Sequence, residues 1–274
     1  MLIGNRKFDT ENNCYIMGIL NFTPDSFSDG GVFNNLDAAL KHVEQMIADG
    51  MDIVDIGGES TRPGYTKISD DEEINRVVPI IEAVKSRFDI PVSLDTYKYK
   101  VAEAGIKAGV DLINDIWGLK YDNGEMAKLI AESGLPCCLM HNRKNTDYAN
   151  FMDDMISDLK ITLDIAQKAG IDSDKIILDP GVGFAKIYEN NLEAIDRLDF
   201  LCSSLGYPVL LGASRKSVIG LTLDLPAADR LEGTLAVTVV GAMRGASFIR
   251  VHDVKENARA VRMTQAIMRG YSNG

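Results

Sequence analysis

Carboxylates, amides and cations in this sequence share one local context, because each stands at the end of a short apolar run. Asn21 follows Ile16 to Leu20, Asp55 closes on Ile53 to Ile56, Asp95 follows Val92 to Leu94, and Asn114 with Asp115 follows Leu112 and Ile113. His141 follows Pro136 to Met140, and Asp179 follows Ile176 to Leu178. Ser214, Arg215 and Lys216 come just after Val209 to Leu211, and Arg250 with His252 ends the run Phe248 to Val251. One Asp or Asn after a strand is an ordinary turn or cap residue. Repeated after run upon run, the same placement describes a site assembled at one end of a sheet. Two loops join it, NFTPDSFSDGG (Asn21 to Gly31) and GGESTRPGY (Gly57 to Tyr65), which mix Gly and Pro with aromatic and charged groups as substrate-covering loops do. Arg62 in the second loop, with Arg250 and His252, supplies the planar and ring donors that a phosphate or diphosphate requires.

The elements that must position these groups follow from the spacing. Short apolar runs suit strands buried on both faces, and the segments between them, such as Leu36 to Ala48, Glu72 to Ser86, Phe151 to Ala169 and Glu232 to Arg244, are long enough for crossover helices. Gly50, Gly109, Gly134, Gly170 and Gly245 stand where those helices should stop. No linker or low-complexity tract interrupts the alternation. An open doubly wound sheet does not naturally account for eight evenly spread strands, whereas a closed (β/α)8 TIM barrel does. In a barrel the strand C-termini carry the chemistry, and that is where the polar residues fall.

A chain of 274 residues fits one such barrel. Its formal net charge of −11 gives no diffuse attraction to nucleic acid or anionic lipid, so an anionic ligand needs a local basic site. Cys14, Cys137, Cys138 and Cys202 lack paired metal or redox spacing and read as reduced, structural thiols, with adjacent Cys137 and Cys138 on opposite faces of a strand. His42 lies in a helical segment and reads as structural. Neither a signal peptide nor a membrane span is visible, and the expected location is the cytoplasm.

The blocks MGILNFTPDSFSDGG, DIGGESTRPG, SLDTYK, INDIWG, LDPGVGFAK, LLGASRKSVIG and IRVHDV resemble, in order and spacing, those of the dihydropteroate synthase family. The likeness runs from about Ile16 to the last helix, and its one departure is MHNR at Met140 to Arg143. It implies a single pterin-binding barrel domain over residues 1–274 that joins 6-hydroxymethyl-7,8-dihydropterin diphosphate to 4-aminobenzoate, releasing diphosphate. Asn114 and Asp179 would read the pterin edge, and Asp95 would stabilise the cation that develops as diphosphate leaves. Lys216 would donate to the ring near its reacting end, and Arg250 would stack on the ring and reach the diphosphate. Asp95, Lys216 and Arg250 are thus the catalytic candidates. Thr61, Ile116, Met140, Phe184 and Gly212 complete the pterin pocket. The resemblance also implies Mg²⁺ on Asn21, diphosphate on Asn21, Arg62, Arg250 and His252, and 4-aminobenzoate between Phe27, Pro63, Lys216 and Ser217, where sulfonamides would compete.

A folate-dependent corrinoid methyltransferase shares the pterin-reading positions, but it should lack the two loops. A pterin-binding barrel without turnover is the other reading, and the reactive-face residues speak against it. Apolar surface on Thr234 to Met243 and Val254 to Met268 leads us to expect a homodimer, as is usual in the resembling family.

Overall fold

The computed structural model describes residues 1–22, 32–59 and 67–270. A two-residue hairpin, β1 (Leu2–Ile3) and β2 (Arg6–Lys7), precedes eight parallel strands. These are β3 (Tyr15–Asn21), β4 (Ile53–Gly57), β5 (Val92–Asp95), β6 (Leu112–Asp115), β7 (Cys137–Met140), β8 (Ile176–Asp179), β9 (Leu210–Leu211) and β10 (Phe248–Val251). Each expected apolar run forms one of them. Their order is β8-β7-β6-β5-β4-β3-β10-β9, and a bridge from Leu178 to Val209 joins the two ends of the sheet. The sheet is therefore a barrel, and the open doubly wound alternative fails.

The two-residue period of the strands sorts their side chains into an outer and an inner set. Val54, Ile56, Leu94, Ile113, Leu139 and Leu178 face outward into the helix-covered core. Met17, Ile53, Leu112, Ile177, Leu210 and Phe248 fill the inside of the barrel at its N-terminal end, and Ile3 and Phe8 beside the hairpin pack onto them from below. Full burial of such a side chain stabilises the fold by about 1.5–3 kcal/mol. The adjacent cysteines obey the same alternation, with Cys137 in the outer cluster and Cys138 in the inner one, and burial pushes both thiols up. All four cysteines are free thiols.

The ring of helices comprises α1 (Val32–Asp49), α2 (Asp70–Arg87), α3 (Tyr99–Ala108), α4 (Glu125–Ser133), α5 (Phe151–Ala169), α6 (Tyr188–Asp196), α7 (Leu198–Leu205), α8 (Ser217–Leu223), α9 (Leu231–Met243) and α10 (Val254–Met268). Starts and stops have local causes. Ser69 accepts from Glu72 N at 3.1 Å to cap α2, whose first turn is acidic and complements the helix dipole. Gly109, Gly134 and Gly170 end α3, α4 and α5 in the left-handed region, as their spacing predicts. No helix among the described residues is long and apolar enough to cross a membrane.

Strand register sets the mouth of the barrel. Asn21 pairs with Gly57, Gly57 with Asp95, Asp95 with Asn114, and Met140 with Asp179. Residues far apart in sequence thereby reach one level.

Candidate active site

Two residues above the apolar floor, the same strands turn polar inside the barrel. Asp55 on β4 is fully buried and accepts from Ser93 Oγ at 2.5 Å, Asn114 Nδ2 at 3.3 Å and Arg250 Nε at 2.6 Å. Arg250 Nη2 donates at 2.6 Å to Asp95 Oδ2, so the guanidinium spans two carboxylates. The other oxygen, Asp95 Oδ1, is buried without a hydrogen-bond partner among the described residues. Burial pushes the Asp95 carboxyl up to about 7 despite the opposing pull of Arg250, and the charges of Asp55 and Glu73 push the same way as burial. A buried acceptor left open costs about 1–3 kcal/mol, which a ligand N–H can recover.

Asp179 on β8 stands across the mouth. Its Oδ1 accepts from Gly181 N at 2.6 Å, and burial raises its carboxyl against the pull of Lys216. Lys216 reaches back to donate to Val182 O and lies 4.8 Å from the Phe184 ring centroid. Burial draws its ammonium down to about 8, opposed by Asp179 and Asp95. Beside these groups Tyr97, Ile116 and Met140 form a buried apolar cluster, with Trp117 and Phe184 packed against it. Gly212 borders the pocket, since a Cβ there would sit 3.7 Å from Asp179 Oδ2 and 3.8 Å from Arg250 Cβ. A flat polar ring thus has apolar walls and a polar edge to meet.

The loop from Asp179 to α6 is fixed by buried polar groups. Gly181 has φ +68°, and a Cβ on it would lie 2.1 Å from His141 O, so no larger residue fits there. His141 is wholly buried, with Nε2 at 2.9 Å from Asp158 and Nδ1 at 2.9 Å from Lys186 Nζ. Burial lowers its imidazole to about 4 against the Asp158 hydrogen bond, and lowers the Lys186 ammonium to about 7. Lys186 also donates to Phe184 O at 3.0 Å, which ties this network to the pocket wall. The sequence marks His141 by its place after an apolar run, and nothing in it marks Lys186 or Asp158. Those two lie 45 and 17 residues from His141, beyond any local pattern.

At the remaining strand ends, Ser214 Oγ lies 3.0 Å from His252 Nδ1, which places His252 beside β10 on the same rim as Arg250. Asp253 pairs with Arg215 and not with Arg250. Ser217 is exposed at the first turn of α8. Asp115 points outward and receives Trp117 N at 2.8 Å and Leu119 N at 2.7 Å, a loop-holding role. Phe27, Thr61, Arg62 and Pro63 lie outside the described residues. Next to the second loop, Lys98 bridges Glu59 at 2.7 Å and Glu73 at 2.8 Å, while Ile68 N donates to Glu59 at 2.9 Å.

For a divalent cation, the relevant space lies between Asn21 and Asp95. Gly57 adjoins both, and a Cβ there would stand at ordinary contact distance, 3.7 Å from Asn21 Oδ1 and 3.6 Å from Asp95 Cβ. One amide oxygen at an open position suits Mg²⁺, which keeps waters and substrate oxygens as its other ligands.

Comparison with known proteins is consistent with this geometry. The model of a family described as pterin binding enzyme matches residues 17–252. A dihydropteroate synthase of Clostridium beijerinckii is 60% identical over 270 residues, covering 98% of this chain and 100% of that protein. A crystal structure of the Clostridium difficile dihydropteroate synthase in the presence of pteroic acid has a TM-score of 0.93 and 51% identity, covering 96% of this chain and 100% of that one. The Yersinia pestis dihydropteroate synthase with a sulfonamide drug complex has a TM-score of 0.91 and 40% identity, covering 98% and 99%.

Proposed function

This chain belongs to the pterin-binding enzyme family and within it to the dihydropteroate synthases, and from that premise we propose how its residues divide the reaction. The enzyme is a transferase that condenses 6-hydroxymethyl-7,8-dihydropterin diphosphate with 4-aminobenzoate to give 7,8-dihydropteroate and diphosphate. The observation that carries the division of roles is Asp95 Oδ1, buried at the mouth with no partner among the described residues and surrounded by groups able to hold a polar ring. Asn114 and Asp179 take the donor-rich edge of the pterin, and Ile116, Met140, Phe184 and Gly212 wall its faces. Thr61 adds a contact from the second loop. Lys216 donates to ring atoms near the reacting end.

The carbon–oxygen bond to diphosphate breaks ahead of attack, and the aryl amine of 4-aminobenzoate, neutral near pH 7, then bonds to the exocyclic methylene carbon. Positive charge develops on the pterin, and Asp95 stabilises it electrostatically from its buried position. The ammonium so formed passes its proton to the departing diphosphate or to water, which leaves the secondary amine of the product. Arg250, Arg62 and His252 receive the diphosphate, and Phe27, Pro63, Lys216 and Ser217 hold the benzoate. Asn21 would hold Mg²⁺, which neutralises charge on the leaving diphosphate when bound. Support for the two substrate sites comes from the pteroic acid and the sulfonamide that accompany the Clostridium difficile and Yersinia pestis relatives. Sulfonamides should therefore compete with 4-aminobenzoate here.

We read the whole chain as one barrel domain acting in the cytoplasm as a homodimer. Supporting the dimer, Met243, Met263 and Ile267 are 61%, 62% and 68% exposed on α9 and α10, an apolar surface that a second copy would cover. The functional test supplies Mg²⁺ and the pterin diphosphate with and without 4-aminobenzoate, following diphosphate and dihydropteroate together. Diphosphate release that requires 4-aminobenzoate and equals product formation is the expected result. Pterin binding without turnover would instead favour a non-catalytic barrel.

A further inference from the structure

Asp55 is the mouth residue to which the reaction, as divided above, gives no part. It sits on β4, which is hydrogen bonded in the sheet to β3 and β5. Yet its carboxylate also takes donors from Asn114 on β6 and Arg250 on β10, so these contacts cross the inside of the barrel. A carboxylate accepts hydrogen bonds and does not donate them. The Asn114 amide must therefore turn its nitrogen to Asp55, which leaves its oxygen for whatever enters the pocket. Arg250 is constrained in the same way, with Nε on Asp55 and Nη2 on Asp95. Ser93 Oγ, at 2.5 Å, fixes the carboxylate from a further side.

We propose that Asp55 is a positioning residue for pterin recognition: it sets which face the Asn114 amide presents and holds the Arg250 guanidinium between two carboxylates. With Asn114 showing its oxygen, the pocket offers acceptors from Asn114, Asp95 and Asp179 together. That pattern selects the amino and ring N–H edge of a 2-amino-4-oxo pyrimidine ring over an edge that carries acceptors. The inference rests on the pterin pocket described above, and binding by the unaltered enzyme tests that pocket separately.

The experiment is isothermal titration of four proteins with 6-hydroxymethyl-7,8-dihydropterin diphosphate and Mg²⁺: the unaltered enzyme, Asp55→Asn, Asn114→Asp and the double variant. Asp55→Asn no longer dictates the direction of the Asn114 amide, and Kd should rise about tenfold. Asn114→Asp sets two carboxylates against each other and should raise Kd about a hundredfold. The double variant restores an amide–carboxylate pair with an acceptor still toward the ligand, and should bind about tenfold more tightly than Asn114→Asp alone. A double variant no tighter than Asn114→Asp overturns the proposal, since residues that merely filled space would give no recovery.

If Asn114→Asp does not fold, Asp55→Asn and Ser93→Ala decide by steady-state kinetics. Both should raise KM for the pterin diphosphate, Ser93→Ala by about threefold, with KM for 4-aminobenzoate within about twofold of normal. An unchanged pterin KM, or equal rises for both substrates, counts against Asp55. Failure of the unaltered enzyme to bind the pterin diphosphate would sink the pocket assignment itself.

Discussion

The floor and the mouth of this barrel are built from the same strands, two residues apart, and they obey opposite rules. Inside β4, β6, β8 and β10, Ile53, Leu112, Ile177 and Phe248 give way to Asp55, Asn114, Asp179 and Arg250. At the floor every side chain loses water and gains apolar contact, so burial and stability rise together. At the mouth burial works against the charged groups: it raises the Asp95 and Asp179 carboxyls and lowers the Lys216 ammonium. Such groups persist because each is aimed at a partner or a ligand. The lesson is that one fold separates its stabilising end from its reacting end.

Breaking the mouth should leave the floor intact. Asp95→Asn keeps shape and removes the stabilising charge, so kcat should fall about 10²- to 10³-fold with a smaller change in pterin KM. The thermal midpoint should hold or rise, because a desolvated carboxyl has gone. Breaking the floor should do the reverse. Phe248→Ala removes a ring buried against Phe8 and Tyr15 and should cost about 3–5 kcal/mol in denaturant unfolding, while the fraction that remains folded keeps its kcat.

A smaller effect sharpens the contrast through pH. The folded-state value for Asp95, about 7, lies above its unfolded value, so the folded protein holds that proton more tightly. Its contribution is fully present below the unfolded value of about 3.9 and is lost as pH rises toward the folded one. Melting curves between those limits should therefore fall more steeply with pH for the unaltered protein than for Asp95→Asn. Identical slopes would place the Asp95 carboxylate in a far better solvated position than the structure gives it.

How much of this was legible in the sequence depends on the range of the interaction. Strands buried on both faces declare themselves as apolar runs, so Ile176 to Leu178 and Phe248 to Val251 were visible with their polar ends. The glycine stops at Gly109, Gly134 and Gly170 were visible because only a left-handed residue ends a helix that way. The hairpin β1–β2 was not, since two-residue strands carry no period. Nor was the break between α6 and α7 at Arg197.

That the strand-end residues share one rim was legible from their places after the apolar runs, but the pairings that set their state were not. Only the closed barrel brings Asp55 to Arg250 from 195 residues away. The same holds for Lys98 between Glu59 and Glu73, and for Lys186 against His141. Sequence names the groups at a site, whereas their partners are a property of closure.

The account stands or falls on the mouth as the pterin site, and Asp179→Ala tests that most directly. Calorimetric titration with the dihydropterin diphosphate should show binding weakened about a hundredfold, because the edge of the ring loses a buried acceptor, while the thermal midpoint of the free protein stays within a few degrees of normal. Undiminished affinity in a folded Asp179→Ala protein would contradict the account and move the pterin away from the C-terminal ends of the strands.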